Sequence, residues 1–184
     1  MRLFILTIAI LLSNYAPAQN ANRQWSFEYL DSVADTHKGQ PYIPFHLVSL
    51  DGKGLDNRSC LGKATFISFW FESCQGCVSE FPAINRLYDS ISRDPHLQFI
   101  AVTFDHAQTL PSFIREHNIA FAVATTENRD TFKQLNFGMG CPGIIILDAK
   151  GRIAEIGMRG ISENSDRNRE FSIPHILGFM RSSL

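Results

Sequence analysis

The chain holds few cysteines, four in 184 residues, and no run of lysines or arginines, no repeat and no low-complexity stretch. Each shortage excludes something. Lys and Arg number 17 against 18 Asp and Glu, for a formal net charge of −1. A chain so balanced, with no basic face in its pattern, is not expected to bind nucleic acid. Its most continuous N-terminal apolar stretch, residues 3–12, falls short of the ~20 residues that cross a bilayer, so no stable membrane insertion is expected. No cluster of His and Cys has the spacing of a zinc site, which takes about four ligands, and no cofactor is expected.

What is present points to one globular domain. Hydrophobic residues make up 45% of the chain and phenylalanine alone contributes 15, enough for a real core. Residues 1–18 have a short basic start (Arg2), an apolar core and the small-residue end A-P-A, the pattern of a secretory signal cleaved after Ala18. Removal of Arg2 with that segment gives 16 − 18 = −2. No Cys lies near the cleavage point, which disfavours lipid attachment. The expected organisation is a signal at 1–18, an extension at 19–38 and a single domain at 39–184. The expected compartment is exported, periplasmic or secreted, where disulfides persist. The pattern alone assigns no structure to 19–38.

The chain is organised around residues 69–82, F-W-F-E-S-C-Q-G-C-V-S-E-F-P. The preceding residues 64–71 are almost unbroken apolar, which predicts a strand buried on both faces. Phe81, Ile84, Leu87, Tyr88 and Ile91 then recur at helical spacing. Cys74 and Cys77 fall where the strand hands over to the helix. Unpaired N–H groups and the partial positive charge of a helix start favour a thiolate there. Two cysteines three apart on a first turn can bridge and reopen, with the first exposed and the second shielded. Half of a zinc site and an inert structural disulfide are the competing readings.

Other elements follow in order. D-G-K-G at 51–54 reads as a hairpin turn, 97–104 as a second buried strand, and 110–117 as a short amphipathic helix with Pro111 in its first turn. Residues 121–123 read as a short strand and 130–135 as a helical turn. Residues 143–147 and 152–156 pair across D-A-K-G, 161–169 is a polar loop, and Ile173, Ile176, Leu177 and Met180 mark a closing helix. Alternating strands and helices ending in a hairpin imply an α/β fold, a mixed central sheet with helices on both faces.

The order of motifs resembles thioredoxin-like redoxins, closest to the TlpA-type thiol–disulfide oxidoreductases. The likeness runs from about residue 39 to 160. It takes in the entry segment G-Q-P-Y-I-P-F-H-L-V-S-L-D-G-K, the Cys-x-x-Cys, Glu80 and Pro82, F-I-A-V-T-F-D, and C-P-G-I-I-I-L-D-A-K-G-R-I. Ser73 stands where that family commonly has Trp, and Gly76 where it often has Pro. The resemblance implies a thioredoxin-like fold and reduction of protein disulfides: Cys74 attacks, Cys77 resolves, and an external thiol donor restores the dithiol. It implies that Pro142 is cis and faces the Cys-x-x-Cys, and that Glu80 lies near the cysteines and holds or passes a proton. An acid near a helix start is also stabilising in its own right. Ser68 takes the strand position where thioredoxin has a buried acid, which leaves Glu80 as the nearby carboxyl, with Glu72 expected on a solvated face.

Pro142, Cys141 and Trp70 form the expected partner-binding set, Trp70 as packing beside the site. For Cys141 two readings stay open, a thiol near Cys74 or a packing residue. Cys60, at the far end of the central strand, is expected as a small buried hydrophobe and not as a partner for Cys141. Two other functions compete. A peroxiredoxin-like peroxidase places its cysteine in P-x-x-x-T/S-x-x-C, which is absent here. A copper- or haem-handling module needs a further His or Met near the thiols, for which His106 and Met139 are the candidates.

Overall fold

The computed structural model describes residues 27–157, 161 and 172–184. The expected signal at 1–18, the first part of the extension (19–26) and most of the 161–169 loop lie outside the described residues.

Residue alternation explains the fold. In β3 (Ala64–Phe69) every residue is buried, as is every residue of β6 (Gly143–Leu147). Side chains of successive residues point to opposite faces, so both strands need cover on both sides. Phe66, Ile144 and Ile146 enter one core, with Phe81, Ile84, Leu87 and Ile91 of α2 (Gln75–Ser92) and Ile176 and Met180 of α5 (Ile173–Ser182). Ile67, Phe69, Ile145 and Leu147 enter the other. There they meet Val33 of α1 (Phe27–His37), Leu47 and Leu55 of the hairpin β1 (His46–Val48) and β2 (Gly54–Asp56), and Phe132 and Leu135 of α4 (Arg129–Leu135). The expected mixed sheet with helices on both faces is present.

With β4 (Leu97–Thr103), β5 (Val123–Thr125) and β7 (Ile153–Gly157), the sheet has the order β5-β4-β3-β6-β7. Strands β3, β4 and β5 run parallel, and β6 and β7 are antiparallel to their neighbours. The short α3 (Leu110–Glu116) connects β4 to β5, with Pro111 in its first turn as predicted.

The edges are shielded, as edge strands need to be. Ser49 bridges Ala124 on one side and Pro41 bridges Arg152 on the other. Helix α1, to which the sequence pattern assigned no structure, lies against β7. His37 stacks on Phe137 at 4.0 Å, and Lys38 pairs with Glu155 at 2.8 Å. The short strand near 121–123 is shifted two residues on, to β5, because Phe121 packs into the first core ahead of the pairing.

Register positions the site. Phe69 at the end of β3 pairs with Gly143 at the start of β6, and with Val102 near the end of β4. One corner of the sheet therefore collects the loop after β3, the end of β4 and the residues just before β6.

Candidate active site

Cys74 is the N-cap of α2, and its Sγ accepts a hydrogen bond from the Cys77 N–H at 3.2 Å. The helix start thus offers a donor to the first sulfur, which favours its thiolate when the bridge is open. Cys74 and Cys77 are joined in a disulfide, with Cα atoms 5.3 Å apart. Both cysteines are buried, Cys74 at 8% exposure and Cys77 at 1%, so the first is the more accessible of the two without being exposed as expected.

The loop into this helix is held by the main chain. The Trp70 N–H donates to Val102 O at 3.1 Å, and the Cys74 N–H to Phe71 O at 3.0 Å. The Glu72 N–H donates to Asp105 Oδ2 at 2.8 Å.

Across the site stands Pro142, after a cis Cys141–Pro142 bond. A Cβ built on Gly76 would stand 3.5 Å from Pro142 Cδ, so the ring faces the residues between the cysteines. The segment before it is fixed by Asn136, which is 1% exposed. Its Oδ1 accepts from the Gly138 N–H at 3.0 Å and its Nδ2 donates to Gly140 O at 3.2 Å. A buried amide with both ends bonded to one loop sets that loop's path. Tyr42, also buried, donates its hydroxyl to Leu135 O at 2.7 Å and fastens the end of α4 just before it. Gly143 is required by space, since a Cβ there would lie 2.8 Å from Gly140 O.

Glu80 lies in α2, three residues beyond Cys77 and so on the same side of the helix. Burial pushes its carboxyl up to about 7, against a smaller lowering by a hydrogen bond with the Ile161 main chain. A carboxyl that changes charge near neutral pH is suited to moving protons.

Cys141 is half-buried, packs against both cores and is not bridged. Burial, and after it the charge of Asp105, pushes its thiol up to about 12. A thiol in that state stays protonated near neutral pH and is a poor nucleophile. Cys60 is wholly buried in the second core, as expected, with its thiol donating to Asp56 O at 3.6 Å.

Two expectations are corrected. Trp70 packs beside the site as expected but leaves the partner-binding set: it is 1% exposed, stacked on Phe113 at 5.8 Å and edge-on to Phe81 at 5.3 Å. It continues the β3 alternation into the first core, which turns it under the loop. Glu72 is half-buried rather than freely solvated, because its carboxylate accepts from the Thr109 hydroxyl at 2.8 Å. The metal candidates are not placed together at the surface: His106 is exposed and Met139 is wholly buried in the second core. Among the described residues no cluster of three or more His, Cys, Asp or Glu could hold a metal, and no helix is long and apolar enough to cross a membrane.

Asn136, Tyr42 and Asp105 shape the site without having been singled out by the sequence pattern. Asn136 carried one signal, an amide ahead of the glycine-rich F-G-M-G. Asp105 closes the F-I-A-V-T-F-D stretch just past β4, and nothing local announces that its carboxylate reaches residue 72.

Comparison with known proteins agrees with this geometry. The model of the AhpC/TSA family matches residues 38–156, a span that includes Cys74, Cys77, Glu80, Cys141 and Pro142. The chain is 26% identical over 132 residues to the thiol-disulfide oxidoreductase ResA of Bacillus anthracis, covering 69% of this chain and 75% of that one. Among solved structures it is similar to the thioredoxin domain of a thiol-disulfide oxidoreductase from Bacteroides vulgatus. There the TM-score is 0.63 at 19% identity, over 78% of this chain and 97% of that one. A thioredoxin family thiol:disulfide interchange protein from Chlorobium tepidum gives a TM-score of 0.59 at 18% identity, covering 79% and 97%. At these identities the structures show the fold, which is thioredoxin-like.

Proposed function

This chain belongs to the AhpC/TSA family, and we propose that it is a thiol–disulfide oxidoreductase that reduces disulfides in proteins. The carrying observation is the Cys74–Cys77 bridge at the start of α2 with the Pro142 ring set against Gly76 between the two cysteines. The names of its relatives support the same reaction class.

In the reduced protein the Cys74 thiolate attacks one sulfur of a substrate disulfide. A Cys74–substrate bond forms, the substrate bond breaks, and the released thiolate takes a proton. Cys77 then gives up its proton and attacks the Cys74 sulfur, which forms the bridge seen here and frees the second substrate thiol. Two electrons pass from the dithiol to the substrate, and an external thiol donor returns them. Glu80 is the group proposed to accept and return the Cys77 proton, because burial holds its carboxyl at about 7. The main chain at Cys141 and Pro142 is the proposed seat for the substrate's extended segment, added as a strand beside the site.

The proposed setting is outside the cytoplasm, with residues 1–18 as a cleaved signal, 19–38 as an extension and 39–184 as the working domain. Such a compartment supplies the disulfides the reaction needs.

Reduction of insulin by the mature protein with a thiol donor tests the reading. It predicts turnover that is lost in Cys74→Ser, and no comparable turnover of hydrogen peroxide. Rapid peroxide reduction with inert insulin would replace it with a peroxidase.

A further inference from the structure

Two strands and the loop carrying Cys74 meet on Asp105. It lies two residues beyond β4, at the corner where that loop leaves β3. Its Oδ2 accepts two hydrogen bonds, from the Glu72 N–H at 2.8 Å and from the Thr103 hydroxyl at 2.5 Å. Its own N–H donates to Thr103 Oγ1 at 3.2 Å, and its carbonyl accepts from the Thr125 hydroxyl on β5 at 2.5 Å. The residue is therefore fixed by two strands, and it fixes a third segment.

That segment lies two residues before Cys74. Of the three main-chain N–H anchors along it, those of Trp70 and Cys74 end on carbonyls of the backbone. The Glu72 anchor alone ends on a side chain. Glu72's own carboxylate is engaged elsewhere, on Thr109. A loop tied at 70 by the sheet and at 74 by the helix can still shift in its middle, unless residue 72 is held.

We propose that Asp105 is a positioning residue for Cys74: its carboxylate clamps the loop to the end of β4 and so sets where the sulfur stands against the first turn of α2. The proposal rests on the reading of Cys74 as the nucleophile. The position matters because the Cys77 N–H meets that sulfur at 3.2 Å, and a thiolate that drifts from the helix start loses the donor.

The same carboxylate distinguishes the two thiols of the corner. Asp105 is the charged residue that bears on Cys141, adding to burial in keeping that thiol protonated. The other charged side chains about this corner are differently engaged. Glu72 is bonded to Thr109, Arg129 lies 5.5 Å over the Phe104 ring, and Glu80 is bonded to the Ile161 main chain.

Because both side-chain hydrogen bonds end on one oxygen, the clamp and the charge separate experimentally. Asp105→Asn keeps an acceptor in the same place and removes the charge, whereas Asp105→Ala removes both. The measurement is the rate of iodoacetamide alkylation at Cys74 in the reduced mature protein at neutral pH, resolved by mass spectrometry. It is accompanied by the melting temperature and by kcat and KM for insulin reduction.

In the Ala variant Cys74 is expected to react about tenfold more slowly, as a less stabilised thiolate should. Its kcat falls with little change in KM, and Asn restores Cys74 to within about twofold of the wild type. In both variants Cys141 alkylates faster than in the wild type. An Ala variant with wild-type Cys74 reactivity overturns the clamp. An Asn variant as slow as Ala overturns it too, since charge rather than the acceptor would then be acting. If Ala does not fold, Asp105→Ser, whose hydroxyl is too short to reach Glu72, takes its place with the same expectation. Alkylation needs no partner disulfide, so a wild type inert toward insulin would remove the proposed function and leave this comparison standing.

Discussion

The ring of Pro142 rests beside Gly76, close enough that a Cβ added at Gly76 would stand 3.5 Å from Pro142 Cδ. That is ordinary van der Waals contact, and the glycine has no left-handed φ to preserve. A side chain is therefore admissible between the cysteines. Gly76→Ala should raise stability by about 0.5–1 kcal/mol, from restricting the unfolded chain and favouring the helix. Urea unfolding measures it. A loss of stability would mean that the two segments are closer than described.

Gly143 is the opposite case. A Cβ there meets Gly140 O at 2.8 Å, and the atom in the way is main chain. Gly143→Ala should cost about 1–3 kcal/mol, as overpacking does. It should also displace residues 140–142 and slow insulin reduction more than Gly76→Ala does. A Gly143→Ala protein with wild-type stability and activity would show that the loop before β6 yields freely.

Glu80 gives a pH prediction of definite sign. Its folded carboxyl is raised to about 7 from an ordinary value of 4.5, chiefly by burial. A raised carboxyl favours the fold while protonated. That contribution is complete below about 4.5 and is lost as pH rises through about 7. Between pH 5 and pH 8 the wild type should lose more stability than Glu80→Gln. The pH profile of cysteine alkylation in the reduced protein should show an inflection near 7 that the Gln variant lacks. Parallel profiles in both proteins would reduce Glu80 to a charge at a helix start.

Much of this architecture was legible because local signals and packing agree. The apolar run before the cysteines became β3, buried on both faces, and the helical spacing of Phe81, Ile84, Leu87 and Ile91 became the core face of α2. Helix α1 was not legible. It is one short helix whose burial depends on contact with β7 and Phe137, both a hundred or more residues away in the chain. Trp70 was legible as packing beside the site, but its place in the partner-binding set was not sustained, because strand alternation carries its ring under the loop, against Phe113. Asn136 and Asp105 act through hydrogen bonds to main chain whose geometry exists only once the loops are placed.

Cys141 and Cys60 should behave alike in one respect and differently in another. In the oxidised protein neither is bridged, and both thiols are pushed up by burial. At neutral pH both should resist iodoacetamide. Raising the pH should release Cys141, which is half-buried, well before Cys60, which is wholly buried and should wait for denaturation. Thiol mapping by mass spectrometry after blocking and digestion reads both. In Cys77→Ser, where the resolver is gone, a Cys74–Cys141 bridge should stay scarce because the Cys141 thiol is protonated. Its abundance would make Cys141 a second resolver.

The account stands most directly on the division of labour between Cys74 and Cys77. Cys74→Ser and Cys77→Ser proteins are reduced, incubated with a disulfide-bonded protein such as insulin, quenched with acid and analysed without reductant. The account predicts a mixed disulfide on Cys74 that accumulates in Cys77→Ser, and none on Cys77 in Cys74→Ser, where that remaining member of the pair is 1% exposed. An adduct that accumulates instead on Cys77 of the Cys74→Ser protein, with Cys77→Ser left free, contradicts it.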